Sequence, residues 1–169
     1  YANFSTSFET PALSELSANP SGAEGFNLEL NPSEAVSYEL GWKSQGQKFK
    51  IESNLFLIES SNEILPYELE EFPGRSFYRN TGATQRYGFE LAALYNYQHW
   101  ELKTSVTQAK YLFKDVNNNL GNALPGIPNS QIFFQLGYTL TNDLNFLISA
   151  EHVGELFADN SNTVKVESF

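Results

Sequence analysis

The chain has 169 residues, 20 acidic and 10 basic, for a formal net charge of -10, and it contains neither cysteine nor methionine. Disulfide frameworks, thiolate metal sites and thiol redox motifs are therefore excluded, and the acidic balance argues against a nucleic-acid surface, which needs clustered Lys and Arg. No apolar stretch approaches the roughly 20 residues of a membrane-spanning helix. The opening "YANFSTSFETP" lacks the basic and apolar regions of a secretory signal, and it starts without Met inside an alternating segment, as expected of a piece of something longer.

Period-2 alternation dominates the chain, and helical periodicity is nearly absent. After a first segment near residues 1–9, "AVSYELGWKS" (35–44) places Val36, Tyr38, Leu40 and Trp42 on one face and Ser37, Glu39, Gly41 and Lys43 on the other. The turn "SQGQ" (44–47) leads to "KFKIESNLFLIES" (48–60), predicting a hairpin. If that turn pairs Trp42 with Phe49, Leu40 meets Ile51 and Glu39 lies opposite Glu52, with Lys43 and Lys50 relieving the like charges diagonally. A long connection follows, "NEILPYELEEFPGRSFYR" (62–79), rich in Pro and acid.

The next strand carries Tyr87, Phe89, Leu91, Tyr95 and Tyr97 on one face and Arg86 and Glu90 on the other, then turns through Gln98-His99 into "WELKTSVTQAKYLF" (100–113). A second long connection, "KDVNNNLGNALPGIPNSQ" (114–131), precedes "IFFQLGYTL" (132–140), the turn "TND" (141–143) and "LNFLISAEHV" (144–153). The loop "GELFADNSN" (154–162) then leads to a last expected strand, "TVKVESF" (163–169).

Long and short connections alternate strictly. A soluble sandwich or lipocalin has no reason to gather its short turns at one end, whereas an outer-membrane barrel has short periplasmic turns, long outer loops and strands that alternate apolar outside with polar inside. Trp42, Phe49, Tyr95, Tyr97, Trp100, Tyr138 and Phe146 all lie on the apolar face near a short turn, the placement of an interfacial aromatic girdle. The opposite face carries Glu39, Lys43, Lys50, Glu52, Arg86, Glu90, Glu101 and Lys103, a set too costly for a packed apolar core and suited to a wide, wet lumen. The reading is all-β: an antiparallel up-and-down transmembrane β-barrel segment of about eight strands.

Five phrases in order, "SFETPALSEL" (7–16), "LNPSEAVSYELGWKS" (30–44), "FLIESSNEILP" (56–66), "YRNTGATQRYGFEL" (78–91) and "GNALPGIPNSQ" (121–131), resemble the C-terminal part of the barrel of TonB-dependent outer-membrane receptors, in the ferric-siderophore branch. The resemblance implies a 22-strand barrel filled by a plug domain, located in the bacterial outer membrane. Such a barrel imports a ferric siderophore or similar chelate with energy passed by a TonB-type protein acting through the plug. Residues 1–169 would then be a partial β-barrel domain, with the plug and closing strands outside it. The family phrases place loop-to-strand junctions at Asn80 and Gly82 and at Pro125, Gly126 and Pro128. Leu94, an apolar side chain on the wet face, would touch the plug.

No catalytic group or cofactor is called for. His99 lies in a turn and His152 near a strand top, with no nucleophile signalled beside either, and "ELEE" (68–71) lacks the spaced ligands and glycine of a calcium loop. For ligand capture the candidates are Arg75 and Arg79, as donors to the oxygens of an anionic chelate, and Tyr67, Phe77 and Tyr78, as stacking surfaces for its planar parts. Against this, Tyr78 would serve an upper aromatic girdle and Arg79 would pair with a loop carboxylate. A passive barrel pore and an outer-membrane enzyme are the alternative functions.

Overall fold

The computed structural model describes residues 1–21, 25–80, 82–114, 119–141 and 144–169. Seven strands form one antiparallel sheet in chain order: β1 (Ala2–Glu9), β2 (Ser33–Gln45), β3 (Phe49–Ser61), β6 (Thr84–Tyr97), β7 (Trp100–Phe113), β8 (Ser130–Thr141) and β9 (Leu144–Val153). The connections add a one-turn helix, α1 (Leu13–Ser17), and two small hairpins, β4 (Ile64–Glu68) with β5 (Ser76–Asn80) and β10 (Leu156–Phe157) with β11 (Lys165–Val166). The long connection expected at 62–79 thus has a ladder of its own.

Residues directly opposite across an antiparallel ladder share a face. The register sets Tyr97, Trp100, Tyr138 and Phe146 in one row and Phe49, Tyr95, Leu102, Leu136 and Ile148 in the next. Above them, Leu40, Leu55 and Phe89 share a row, as do Phe4, Tyr38, Leu57 and Tyr87. This face is bare: Leu55 is 54 % exposed and Trp100 46 %. Contiguous apolar surface of this extent needs a hydrocarbon partner, and the row of Trp and Tyr beside the short turns fits the interface between hydrocarbon and water.

Arg86, Glu90, Lys43, Glu52, Lys50, Lys103 and Glu101 lie in the intervening rows, on the opposite face, as expected from the alternation. Leu94 also lies there, between Lys50 and Lys103.

The first hairpin corrects the expected register. Gly46 N–H donates to Phe49 O (2.9 Å), closing a tight turn at Gln47 and Lys48, so Gln45 pairs with Lys50 and Trp42 with Ser53. Trp42 does not meet Phe49, Leu40 faces Leu55 rather than Ile51, and Glu39 faces Phe56 rather than Glu52. The cause is the compact turn, which lets β2 run on through Gln45. Each β2 residue meets a partner shifted by an even number of positions, so no side chain changes face. Glu52 now lies opposite Lys43 (3.7 Å) and beside Lys50 (2.8 Å).

The second hairpin has the expected Gln98-His99 turn, with Tyr97 opposite Trp100 and Gln98 at φ 53°. Residues 142 and 143 of the expected third turn, and residue 81 of the expected Asn80–Gly82 junction, lie outside the described residues. The last expected strand reaches the sheet only at Phe169, which exchanges two backbone hydrogen bonds with Val153 (2.8 and 3.0 Å); before that, Lys165 and Val166 pair within their own loop.

The buried residues gather at the long-loop end. Phe77, Phe113, Leu124, Leu30, Ala18 and Ala109 are buried there together with Thr84, Ser60 and Asn27. Packing therefore holds the outer loops, while the middle of the wall leaves both faces open.

In the loop after β9, Asp159 accepts from the N–H groups of Val164 (2.8 Å) and Thr163 (2.9 Å) and from the Thr163 hydroxyl (2.9 Å). The Val164 bond first, with the Thr163 bonds behind it, holds this carboxyl below its ordinary range. A lowered folded pKa supports the turn above the ordinary carboxylate value, and that support is lost as pH falls through the lowered value. Amide exchange at Val164, corrected for its intrinsic pH dependence, is expected to speed up on acidification. Asp159→Asn should abolish that pH dependence.

Candidate functional site

The β4–β5 hairpin carries all five residues singled out in the sequence. Leu65 pairs with Arg79 and Tyr67 with Phe77 on one face, while Pro66 pairs with Tyr78 and Glu68 with Ser76 on the other. The connecting bend is closed by bonds from Phe72 N to Leu69 O (2.9 Å) and from Arg75 N to Phe72 O (3.2 Å). Gly74 takes φ 79° in that bend, a conformation that favours glycine.

Four of the five residues converge with Phe72, which the sequence reading did not include. Phe77 is the anchor: it is 1 % exposed, with ring centroids 6.1 Å from Tyr67 and 5.8 Å from Phe72. The Arg75 guanidinium sits 4.9 Å from the Phe77 centroid and 5.9 Å from that of Phe72, and Arg79 sits 4.9 Å from the Tyr67 centroid. Such stacking contributes about 0.5–1 kcal/mol at an exposed site and leaves the in-plane N–H donors free. Among the described residues neither arginine forms a salt bridge, whereas Arg86, Lys43, Lys50, Lys103 and Lys165 do.

Tyr67 and Phe77 each lie against an arginine, Phe77 with its ring buried, and the pairing of Arg79 with a loop carboxylate is not found among the described residues. Tyr78 lies on the opposite face, half-buried, with its carbonyl accepting from Asn27 Nδ2 (3.3 Å).

Below the hairpin is a cavity of 670 Å³ lined by residues that include Ser7, Glu9, Glu15, Ser60, Glu63 and Arg86. Glu63 ties the base of β4 to the sheet: its Oε1 accepts from Arg86 Nη2 (2.5 Å) and from the Thr84 hydroxyl (2.9 Å). The alternation puts Arg86 on the polar face but says nothing of this partner, because a residue beyond one strand pairs with a side chain of another. His99 and His152 are at opposite ends of the sheet, His99 in a short turn and His152 opposite Ile132 on the apolar face.

An outward apolar face, an inward charged face and loops packed at one end define a class: a segment of a transmembrane β-barrel wall. The family profile described as "TonB dependent receptor-like, beta-barrel" matches residues 1–169, and the chain belongs to that family of outer-membrane barrels. Solved structures share the fold at low identity. The ferric citrate transporter FecA in its unliganded form is 21% identical with a TM-score of 0.77, over 100% of this chain and 26% of its own. The copper transporter OprC is 19% identical with a TM-score of 0.78, over 99% of this chain and 27% of its own. The ferric yersiniabactin uptake receptor FyuA from Yersinia pestis is 14% identical with a TM-score of 0.73, over 99% and 25%. The chain thus spans about a quarter of the length of the proteins it matches.

Proposed function

We propose that this chain is a partial barrel domain, residues 1–169, of a receptor that takes up an iron chelate of the siderophore type across the bacterial outer membrane. In this reading a TonB-type protein supplies the energy through a plug elsewhere in the protein. Family membership supports the transport class, and the names of the compared uptake proteins favour iron. One observation within the chain carries the ligand assignment: two guanidiniums stacked on aromatic rings at the loop end, each without a carboxylate partner among the described residues. Planar guanidinium donors held in this way suit the oxygens of an anionic chelate. Tyr67, Phe77 and Phe72 set the arginines, and Tyr78 holds the hairpin from behind.

The test uses the full-length protein in a strain that lacks its own receptors. Iron-limited growth and labelled-iron uptake are measured with iron(III) citrate, a tris-catecholate and a tris-hydroxamate. Saturable uptake of at least one chelate, abolished by dissipating the inner-membrane proton gradient, is expected. Non-saturable uptake indifferent to the gradient would mean a passive pore.

A further inference from the structure

The outer loops are joined in pairs by asparagine side chains. Asn80, the last residue of β5, accepts from Asn31 N–H (2.7 Å) and returns Nδ2 to Asn31 O (2.9 Å) and Asn62 O (2.6 Å). Asn27, buried, adds Nδ2 to Tyr78 O (3.3 Å), receives Glu29 N–H on Oδ1 (3.2 Å) and donates its own N–H to Leu16 O (2.6 Å). The loop between β1 and β2 is thereby fixed to the arginine-bearing hairpin.

The same device recurs on the other side. Asn162, at φ 55°, accepts from Ala123 N–H (2.7 Å) and returns Nδ2 to Ala123 O (2.9 Å), while Asn122 Nδ2 reaches Asn160 O (3.0 Å). Backbone bonds from Gly126 to Phe157 O (2.7 Å) and from Asn129 to Glu155 O (3.2 Å) run beside it. Between the two sides, the described residues show a hydrogen bond from Lys114 N to Ala83 O (2.7 Å) at the strand tops, and no ion pair crosses.

We infer that the described parts of the loops form two separately clamped units, one of residues 10–21 and 25–32 with 62–80 and the other of residues 119–129 with 154–168, and that Asn80 and Asn162 are their positioning residues. A side-chain amide bonded to both the N–H and the C=O of one residue satisfies a donor and an acceptor at once, so losing it exposes both. Asn80 also precedes β6 and follows Arg79, so its clamp sets where the guanidiniums stand above the lumen. That last role rests on the proposed ligand surface; the pairing itself does not.

The pairing is tested without ligand, by hydrogen–deuterium exchange on the full-length receptor in detergent micelles. Asn80→Ala should speed exchange about tenfold in residues 27–31 as well as 62–80 and leave 119–129 unchanged. Asn162→Ala should do the same in 119–126 and 158–164 and leave 27–31 unchanged. If either variant fails to fold, wild-type exchange decides: residues 27–31 should open with the same denaturant dependence as 76–80, and residues 122–126 with that of 156–164. Exchange that rises in the mutated loop alone, or in all four loops together, overturns the inference, as does independent opening of the paired loops in the wild type. If the clamps hold while chelate uptake is indifferent to Arg75 and Arg79, the ligand reading fails and the pairing stands.

Discussion

Under the proposed uptake function, Arg75→Ala combined with Arg79→Ala is expected to lower affinity for the chelate about a hundredfold or more, with normal amounts of the protein in the outer membrane. The magnitude follows from hydrogen bonds to charged groups, about 1.5–3 kcal/mol each, against 1.4 kcal/mol per factor of ten. Barrel insertion should be spared because both side chains are exposed and stack on rings that stay packed without them: Phe77 keeps its contacts with Tyr67 and Phe72. Arginine-to-lysine changes at both positions separate charge from geometry, since lysine keeps the cation and loses the planar donor fork. Binding measured on purified receptor should then recover in part, and more at low salt than at high salt. Unchanged uptake and affinity in the double alanine variant would remove these arginines from the ligand surface.

The second large effect concerns the wall itself. Gly88 pairs with Ala109 across β6 and β7, and a Cβ at position 88 would stand 2.5 Å from both the Ala109 Cβ and the Gln108 carbonyl oxygen, and 2.7 Å from the Ala109 Cα. Two of these are backbone atoms held in a ladder that runs from Thr84 opposite Phe113 to Tyr97 opposite Trp100. Ala109 cannot retreat freely, because it is buried and its N–H donates to Asn129 O (2.9 Å). Overpacking of this kind costs about 1–3 kcal/mol for a small addition and more for a branched one. Gly88→Ala should lower the urea midpoint of the folded barrel in micelles, and Gly88→Val should sharply reduce the fraction that inserts. Gly137→Ala is the control, since its added Cβ meets nothing nearer than Leu147 at 3.7 Å. An inserted Gly88→Val protein with an unshifted midpoint would show that β6 and β7 do not approach so closely.

Gly88 was visible in the sequence only as one more polar-face position, and nothing local distinguishes it from Gly137. The difference lies in the distance between neighbouring strands. The first hairpin makes a related point. Val36, Tyr38, Leu40 and Trp42 show which face is apolar, but any register shifted by an even number of residues satisfies that pattern equally well. The bond from Gly46 to Phe49 selects one of them and converts an expected Glu39–Glu52 opposition into the Lys43–Glu52 pair.

At the site, residue types indicated an anion-binding loop, and all five candidates do fall on one hairpin. Which of them is buried and which is exposed was not readable. Phe77 is buried because Phe72 and Tyr67 close around it, a contact made across a bend and a ladder within what the sequence shows as an unpatterned, Pro-rich connection. For the same reason the sequence marks Asn80 only as a loop-to-strand junction and does not distinguish Asn27 or Asn162 at all. Asparagine is ordinary in loops, and the partners of these three, Tyr78, Asn31 and Ala123, are far along the chain.

By itself the sequence determined the strand order, the two faces and the end at which the loops gather. Those properties depend on period-2 alternation and connection length, which are local. Only the tertiary structure decided register, strand spacing, the stacking of Arg75 and Arg79 and the pairing of the loops. Each of these is settled by hydrogen-bond and packing geometry between distant segments, where many partners have similar chemistry and only one arrangement satisfies them together.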